Sequence, residues 1–385
     1  MRRHGPGMLA AILGSRRSTT ACVLFAGALA ALPVAGCAVA SHATVRGAPP
    51  ASPTPPIKIP KSLVKLLGQR IMVTMAGTTP DATLLNGVRL GNAGAVIIYG
   101  SNIVSRSQLT AAIRSLQHAA TEGGNPPLLI AIDQEGGGVK RLPGPPSLSP
   151  SQMVDTGKAS VARQQGIATG KYLRGFGINF NIAPIVDVPT SMSSFLYQEN
   201  RTFSFNANSV ARYATAFALG QQSQRVASAA GLFPGLGSAT IDTDLEPDEI
   251  LYPTTAQRTA ALKPYEMLIP RGLDAIMVGN AAFPAYDPTG RIADLSGPVI
   301  RGLLRDKLKF QGVVITDAMV RTGMNPVTSG VLAAEAGADI ILYNNFASGV
   351  LPALESASRS GRLSRANAVS SYERIVALKQ RIAGR

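Results

Sequence analysis

The stretch Gly312-Val313-Val314-Ile315-Thr316-Asp317 decides the fold: a short, near-continuous apolar run that ends on an acid. A strand of this kind is buried on both faces, because it lacks the polar alternation of a sheet with one wet side. Runs of the same character recur at Ile71–Met75, Ala95–Tyr99, Leu128–Ile132, Ile178–Val186, Ala227–Phe233, Ala275–Val278 and Ile340–Tyr343. Helical patterns lie between them, such as Leu109–Ala120, Val161–Arg174, Val210–Arg225 and Val299–Leu308, and Ala368–Ile382 closes the chain. Doubly buried strands alternating with helices predict an α/β protein, a single (β/α)8 TIM-type barrel. A doubly wound open sheet is the competing arrangement. It calls for a glycine-rich phosphate turn after its first strand, and Met75-Ala76-Gly77-Thr78-Thr79 lacks the GxGxxG spacing.

The composition agrees with a large core. Of 385 residues, 45% are hydrophobic and 15% charged, which excludes wholesale disorder. Two cysteines cannot build a disulfide framework, and three histidines leave little room for a His-rich metal or nucleophile site.

Ahead of the barrel, Arg2, Arg3, Arg16 and Arg17 precede an uncharged run from Ala21 to Val34, too short to span a bilayer as a helix. A basic region followed by a short apolar core reads as an export signal. The run ends Leu32-Pro33-Val34-Ala35-Gly36-Cys37, which resembles a bacterial lipobox, so residues 1–36 are expected to be a lipoprotein signal peptide and Cys37 the lipidated N-terminus. An ordinary signal peptide with an incidental cysteine is the alternative. Residues 37–60, with Pro49-Pro50-Ala51-Ser52-Pro53-Thr54-Pro55-Pro56, read as an extended tether, and residues 61–385 as the barrel domain. Removing the leader takes 37 basic residues to 33 against 22 acids, a net charge of +11. Such a balance suits anionic lipid or cell-wall polymer, or simply solvates an exported protein. No Lys/Arg-rich block is interleaved with aromatics, so nucleic acid is not an expected partner.

Barrel chemistry gathers at the C-terminal ends of strands. The polar residues there are Asp133, Asp187, Asn280, Asp317 and Asn344. Converging carboxylates suit either a hard-metal site, here Asp133, Asp187 and Asp317, or a carboxylate pair for glycoside chemistry. Any single strand-end Asp is equally at home as a helix N-cap, a reading that weakens as the position recurs.

The motifs narrow these options. Ile130-Ala131-Ile132-Asp133-Gln134-Glu135-Gly136-Gly137-Gly138-Val139-Lys140-Arg141 resembles a signature of glycoside hydrolase family 3, and Gly312–Asp317 resembles that family's nucleophile signature, which ends in Ser/Thr-Asp. The segments 177–188, Asn200-Arg201-Thr202-Phe203 and Phe233-Pro234-Gly235-Leu236-Gly237 are similar to further family segments and stand in family order. The likeness is to the single-barrel, NagZ-type branch, which includes lipid-anchored β-N-acetylglucosaminidases acting on peptidoglycan fragments. It implies a retaining glycosidase in which Asp317 is the nucleophile, while Asp133, Arg141 and Arg201 grip sugar hydroxyl and acetamide groups, with Asp187 and Asn280 also facing substrate. Carboxylate and guanidinium suit such work because their hydrogen bonds are strong and directional. The alternative for Arg141 and Arg201 is a structural ion pair at the barrel rim.

The resemblance breaks at the proton donor. The branch carries an acid/base histidine on a loop after the fifth strand, where this chain reads Asp242-Thr243-Asp244; a Lys-His pair of the branch is replaced by Gly231-Leu232. Beyond the leader only His42, in the tether, and His118, on a helical pattern remote from strand ends, remain. Two consequences follow. Asp244, or Asp242 or Glu246 beside it, serves as the acid; or the barrel is catalytically impaired and binds saccharide or a protein partner. With no Trp in the chain, a pocket for one terminal sugar is expected rather than a long stacking groove. The chain is expected to need no cofactor or metal, to act as a monomer on a carbohydrate substrate, and to meet the membrane through its lipid anchor.

Overall fold

The computed structural model describes residues 56–246, 249–319, 324–343 and 349–384. Cys37, Asn344 and the whole segment 1–55 lie outside them. Val313–Ala318 forms a strand in which Val313 to Thr316 are all buried, as a run without polar alternation requires. Numbered in chain order, the barrel strands are β1 (Ile71–Thr74), β2 (Ala95–Ile98), β3 (Leu129–Ile132), β4 (Phe180–Asn181), β5 (Ala227–Phe233), β6 (Ala275–Val278), β7 (Val313–Ala318) and β8 (Ile340–Leu342). They pair in parallel and in sequence order, and β1 closes the ring on β8 through Ile71 opposite Ile341 and Met72 opposite Leu342. The (β/α)8 barrel expected from the sequence is the fold.

The main helix after each strand is α1 (Ala82–Leu90), α2 (Arg106–Glu122), α3 (Ala159–Arg174), α4 (Ala207–Gln222), α5 (Thr255–Leu268), α6 (Pro298–Lys307, wound as a π-helix), α7 (Pro326–Ala336) and α8 (Val350–Arg359), with α9 (Arg365–Ala383) last. Their starts are capped by residues such as Asp81, Ser105, Thr254 and Ser364, whose side chains take the orphan N–H groups of the first turn. The strand-end acids are therefore not spent on capping.

The expected strand Ile178–Val186 is the one that shortens. Pro184 has no N–H to give the ladder, so regular pairing stops at Asn181 and resumes only as a bridge between Ile185 and Gly231. The expected tether also ends early, because Ile57 and Ile59 pack, partly buried, against the core.

Helix α9 seals the N-terminal end of the barrel. Arg374 and Ser371 bond the buried Asp339 at 2.7 and 2.8 Å, ahead of β8. Arg305, on α6, reaches the same carboxylate at 2.7 Å. Lys379 donates to the Gln69 side chain at 2.6 Å and to Gly94 O at 2.8 Å, ahead of β1 and β2. Its burial pushes the ammonium down to about 7. Arg381 pairs with Asp274, whose carboxyl burial lifts to about 6. Ion pairs and hydrogen bonds thus tie α9 to this end, which also carries a cavity of about 270 Å³ lined by Leu128, Asn179, Lys379 and Ile382.

Candidate active site

A cavity of about 260 Å³ opens at the C-terminal end, lined by Tyr99, Asp133, Arg141, Arg201, Asp244 and Asp317 together with Glu135, Glu199 and Asp242. Its walls also carry Ile97, Ile182, Ile185, Leu232, Met277 and Leu342, so polar groups converge over an apolar floor.

The β3 end builds one side. Gln134–Gly136 pairs antiparallel with Val139–Lys140, and the turn between them runs through Gly137 at φ 68°. A Cβ at Gly137 would lie 2.1 Å from Asn200 O, and one at Gly138 2.1 Å from Glu199 O, so only glycine lets this hairpin touch the 199–200 backbone. That contact brings Arg201 onto Glu135. Its Nε and Nη2 donate to the two carboxylate oxygens at 3.0 and 2.9 Å, and Nη1 donates to Glu199 at 3.1 Å. Arg141 donates to Asp133 at 2.9 Å and stands 5.6 Å from the Tyr99 ring centre.

Charge follows from this packing. Burial raises the Asp133 and Glu135 carboxyls, and the Arg141 and Arg201 guanidiniums work against it. Burial alone would lower Arg201, but Glu135 and Glu199 outweigh it and hold the guanidinium firmly charged. Burial and the Asp133 and Asp317 charges push the Tyr99 phenol far above its ordinary range, so it stays protonated as a hydrogen-bond donor.

Asp317 sits near the tip of β7, less buried than the strand before it, with Oδ1 accepting from Ala318 N at 2.8 Å. Asp242, Thr243 and Asp244 reach the cavity from the loop after β5. The only histidine among the described residues, His118, is on α2 with 73% of its side chain exposed, 3.2 Å from Glu122.

Two expected site residues lie elsewhere. Asp187 does not line the cavity: it is 1% exposed, and its carboxylate accepts from Leu232 N at 2.5 Å and from Leu236 N. Burial lifts it to about 6 against those two N–H groups. It clamps the β5 end in place instead of facing substrate, and with both oxygens engaged it is a poor metal ligand. Asn280 is fully buried behind the loop, donating to Thr243 O at 3.2 Å and to Asp244 Oδ1 at 2.9 Å. No group of three or more His, Cys, Asp or Glu among the described residues gathers closely enough to hold a metal ion.

Sequence reading missed Glu135, Glu199 and Tyr99. Glu135 was signalled by its spacing from Asp133, since residues two apart in an extended segment share a face. Tyr99, taken as the last residue of a strand, stands one position past β2, where side chains turn to the mouth.

A parallel barrel whose C-terminal mouth gathers carboxylates and guanidiniums around a sugar-sized hollow has the architecture of a glycosidase. The chain matches the glycosyl hydrolase family 3 N-terminal domain over residues 64–378 and belongs to that family. An uncharacterized secreted glycosyl hydrolase of Arthroderma benhamiae is 34% identical over 330 residues, 82% of this chain and 92% of the relative. A beta-hexosaminidase of Thioalkalivibrio sulfidiphilus is 30% identical over 300 residues, 74% of this chain and 84% of its own length. Among solved structures, a family 3 beta-N-acetylglucosaminidase from a Paenibacillus species superposes with TM-score 0.78 at 32% identity, covering 84% of this chain, which spans 63% of that one. A beta-N-acetylhexosaminidase from Beutenbergia cavernae gives TM-score 0.75 at 28% identity, covering 83% of this chain and 98% of its own.

Proposed function

We propose that this chain is a retaining exo-glycosidase that removes a terminal β-linked N-acetylhexosamine, with peptidoglycan-derived N-acetylglucosamine as the leading substrate. The observation that carries the proposal is the convergence of Asp317 and Asp244 on one cavity with Asp133, Arg141 and Arg201. At about 260 Å³ the cavity falls just under the usual size of a small-molecule site, ~300–1,000 Å³, and suits one sugar ring.

In this account Asp317 attacks the anomeric carbon. The bond to the leaving oxygen breaks, and a proton from Asp244 goes to that oxygen. In the second step Asp244, now a carboxylate, takes a proton from water as the water attacks the same carbon and releases Asp317. Asp133, Arg141 and Arg201 hold the sugar, while Glu135 holds Arg201 and Tyr99 donates to a carboxylate or a hydroxyl. The relatives named beta-hexosaminidase support the amino-sugar substrate. The secreted Arthroderma relative and the basic, apolar, cysteine-ended leader support export and anchoring at the outer face of the membrane through Cys37.

The test is hydrolysis of aryl β-N-acetylglucosaminides, with the first-formed sugar followed by proton NMR. Retention is expected, and Asp244→Ala should lose about 10²–10⁴-fold in kcat/KM on poor leaving groups while sparing kcat/KM on good ones. Inversion, or equal loss on both, contradicts the proposal. Among the described residues no histidine lines the mouth, which favours a second reading, a saccharide-binding lipoprotein without turnover. It would show sugar binding in calorimetry and no release of any aglycone.

A further inference from the structure

We infer that Asn280 is the positioning residue of the proton donor, its side-chain amide latching Asp244 over the cavity in both of the protonation states that donor must visit. This inference rests on the glycosidase reading above.

Asn280 lies two residues beyond β6 and is fully buried. Both of its Nδ2 contacts go to the loop after β5: Thr243 O at 3.2 Å and Asp244 Oδ1 at 2.9 Å. Two residues on, the backbone grips the returning arm of the same loop. Leu251 N donates to Ala282 O at 2.9 Å, and Ala282 N donates to Glu249 O at 2.9 Å. The short segment 280–282 therefore holds both arms. Leu236, Ala239 and Leu251 anchor the two arms in the core, but the Asp242–Asp244 turn itself has little apolar packing, since Ile241 is 43% and Leu245 74% exposed on either side of it. Asp244 is placed by these ties together with its own turn, in which Asp244 N donates to Asp242 Oδ1 at 3.0 Å.

The chemistry explains why an amide suits the position. A general acid alternates between COOH and COO⁻ within one turnover. A lysine could only donate, favouring the charged form throughout, and a second carboxylate would repel it. An asparagine is neutral and donates Nδ2–H to an Asp244 oxygen in either state, to the carboxylate or to the carbonyl oxygen of the carboxylic acid, without releasing Thr243 O.

The test compares Asn280→Ala with wild type on β-glycosides of good and poor leaving groups, in parallel with trapping by an activated fluorosugar read by intact mass. The expected result is a fall in kcat/KM of about 10–100-fold on poor leaving groups and under about 3-fold on good ones, with trapping unchanged. In an Asp244→Ala background the same substitution should have no further effect on poor leaving groups. Thermal melts identify a variant that fails to fold, in which case Asn280→Ser takes its place in the same comparison. A uniform loss on all leaving groups, or an undiminished loss in the Asp244→Ala background, leaves the glycosidase standing and overturns the positioning role. A wild type that neither turns over nor traps the fluorosugar removes both.

Discussion

Arg201→Met should cost far more than the loss of an exposed rim charge. Arg201 makes three charge-assisted hydrogen bonds, two of them to Glu135, whose side chain is only 3% exposed. The substitution strands a buried carboxylate, and breaking one side of such a pair costs about 3–5 kcal/mol, against about 1 kcal/mol or less for an exposed pair. The effect also carries a pH signature. Burial already raises the Glu135 carboxyl, and Arg201 is the main group opposing it. Without the arginine the carboxyl rises further, so the folded state prefers it protonated. An acid raised on folding carries its full destabilisation above the folded midpoint, and the deficit shrinks as pH falls from there toward the unfolded midpoint. Urea unfolding at about pH 7 and about pH 5 should therefore show the gap to wild type narrowing at the lower value. Glu135→Met combined with Arg201→Met should recover most of the loss, because no charge is then left unpaired. A loss under about 1 kcal/mol, or one equal at both pH values with no recovery in the double variant, would refute the reasoning.

Gly137→Ala should destabilise by about 2 kcal/mol or more and depress sugar binding, because its Cβ would meet Asn200 O at 2.1 Å with φ at 68°. Gly290→Ala, at φ 71° with nothing within 4 Å, is the control and should show only the smaller backbone cost in a thermal melt. Lys379 titrates near 7 when folded, below its ordinary 10.5, so between those values the unfolded chain binds the extra proton and stability rises with pH. Lys379→Met should flatten that slope in unfolding experiments from about pH 7 to about pH 9. Dialysis against EDTA should leave hydrolysis unchanged; loss restored by a divalent ion would revive a metal mechanism.

The barrel was legible because doubly buried strands carry their own signature, and runs such as Ala275–Val278 need no partner to be recognised. β4 was less so, since Pro184 interrupts pairing inside an apolar run. At the mouth, Asp133, Arg141, Arg201, Asp244 and Asp317 could be found from motif and strand-end position, and one cavity collects them. Position alone does not say which way a strand-end side chain serves. Asp187 and Asn280 occupy the same ends, yet their contacts go to Leu232, Leu236, Thr243 and Asp244 on the neighbouring β5 end and loop. Such partners arise only when β5 is set beside β4 and β6, far apart in the chain. The spacing from Asp133 signalled Glu135, but its partner was hidden for the same reason, because that arginine comes from a segment 66 residues away.

The most direct measurement is peptide mapping after incubation with an activated fluorosugar, whose good leaving group dispenses with a proton donor. One sugar attached through the carboxylate of Asp317, and none in Asp317→Ala, is the predicted outcome. Unmodified wild-type protein across gluco- and N-acetylglucosamine-configured reagents, or attachment at a different side chain, would contradict it.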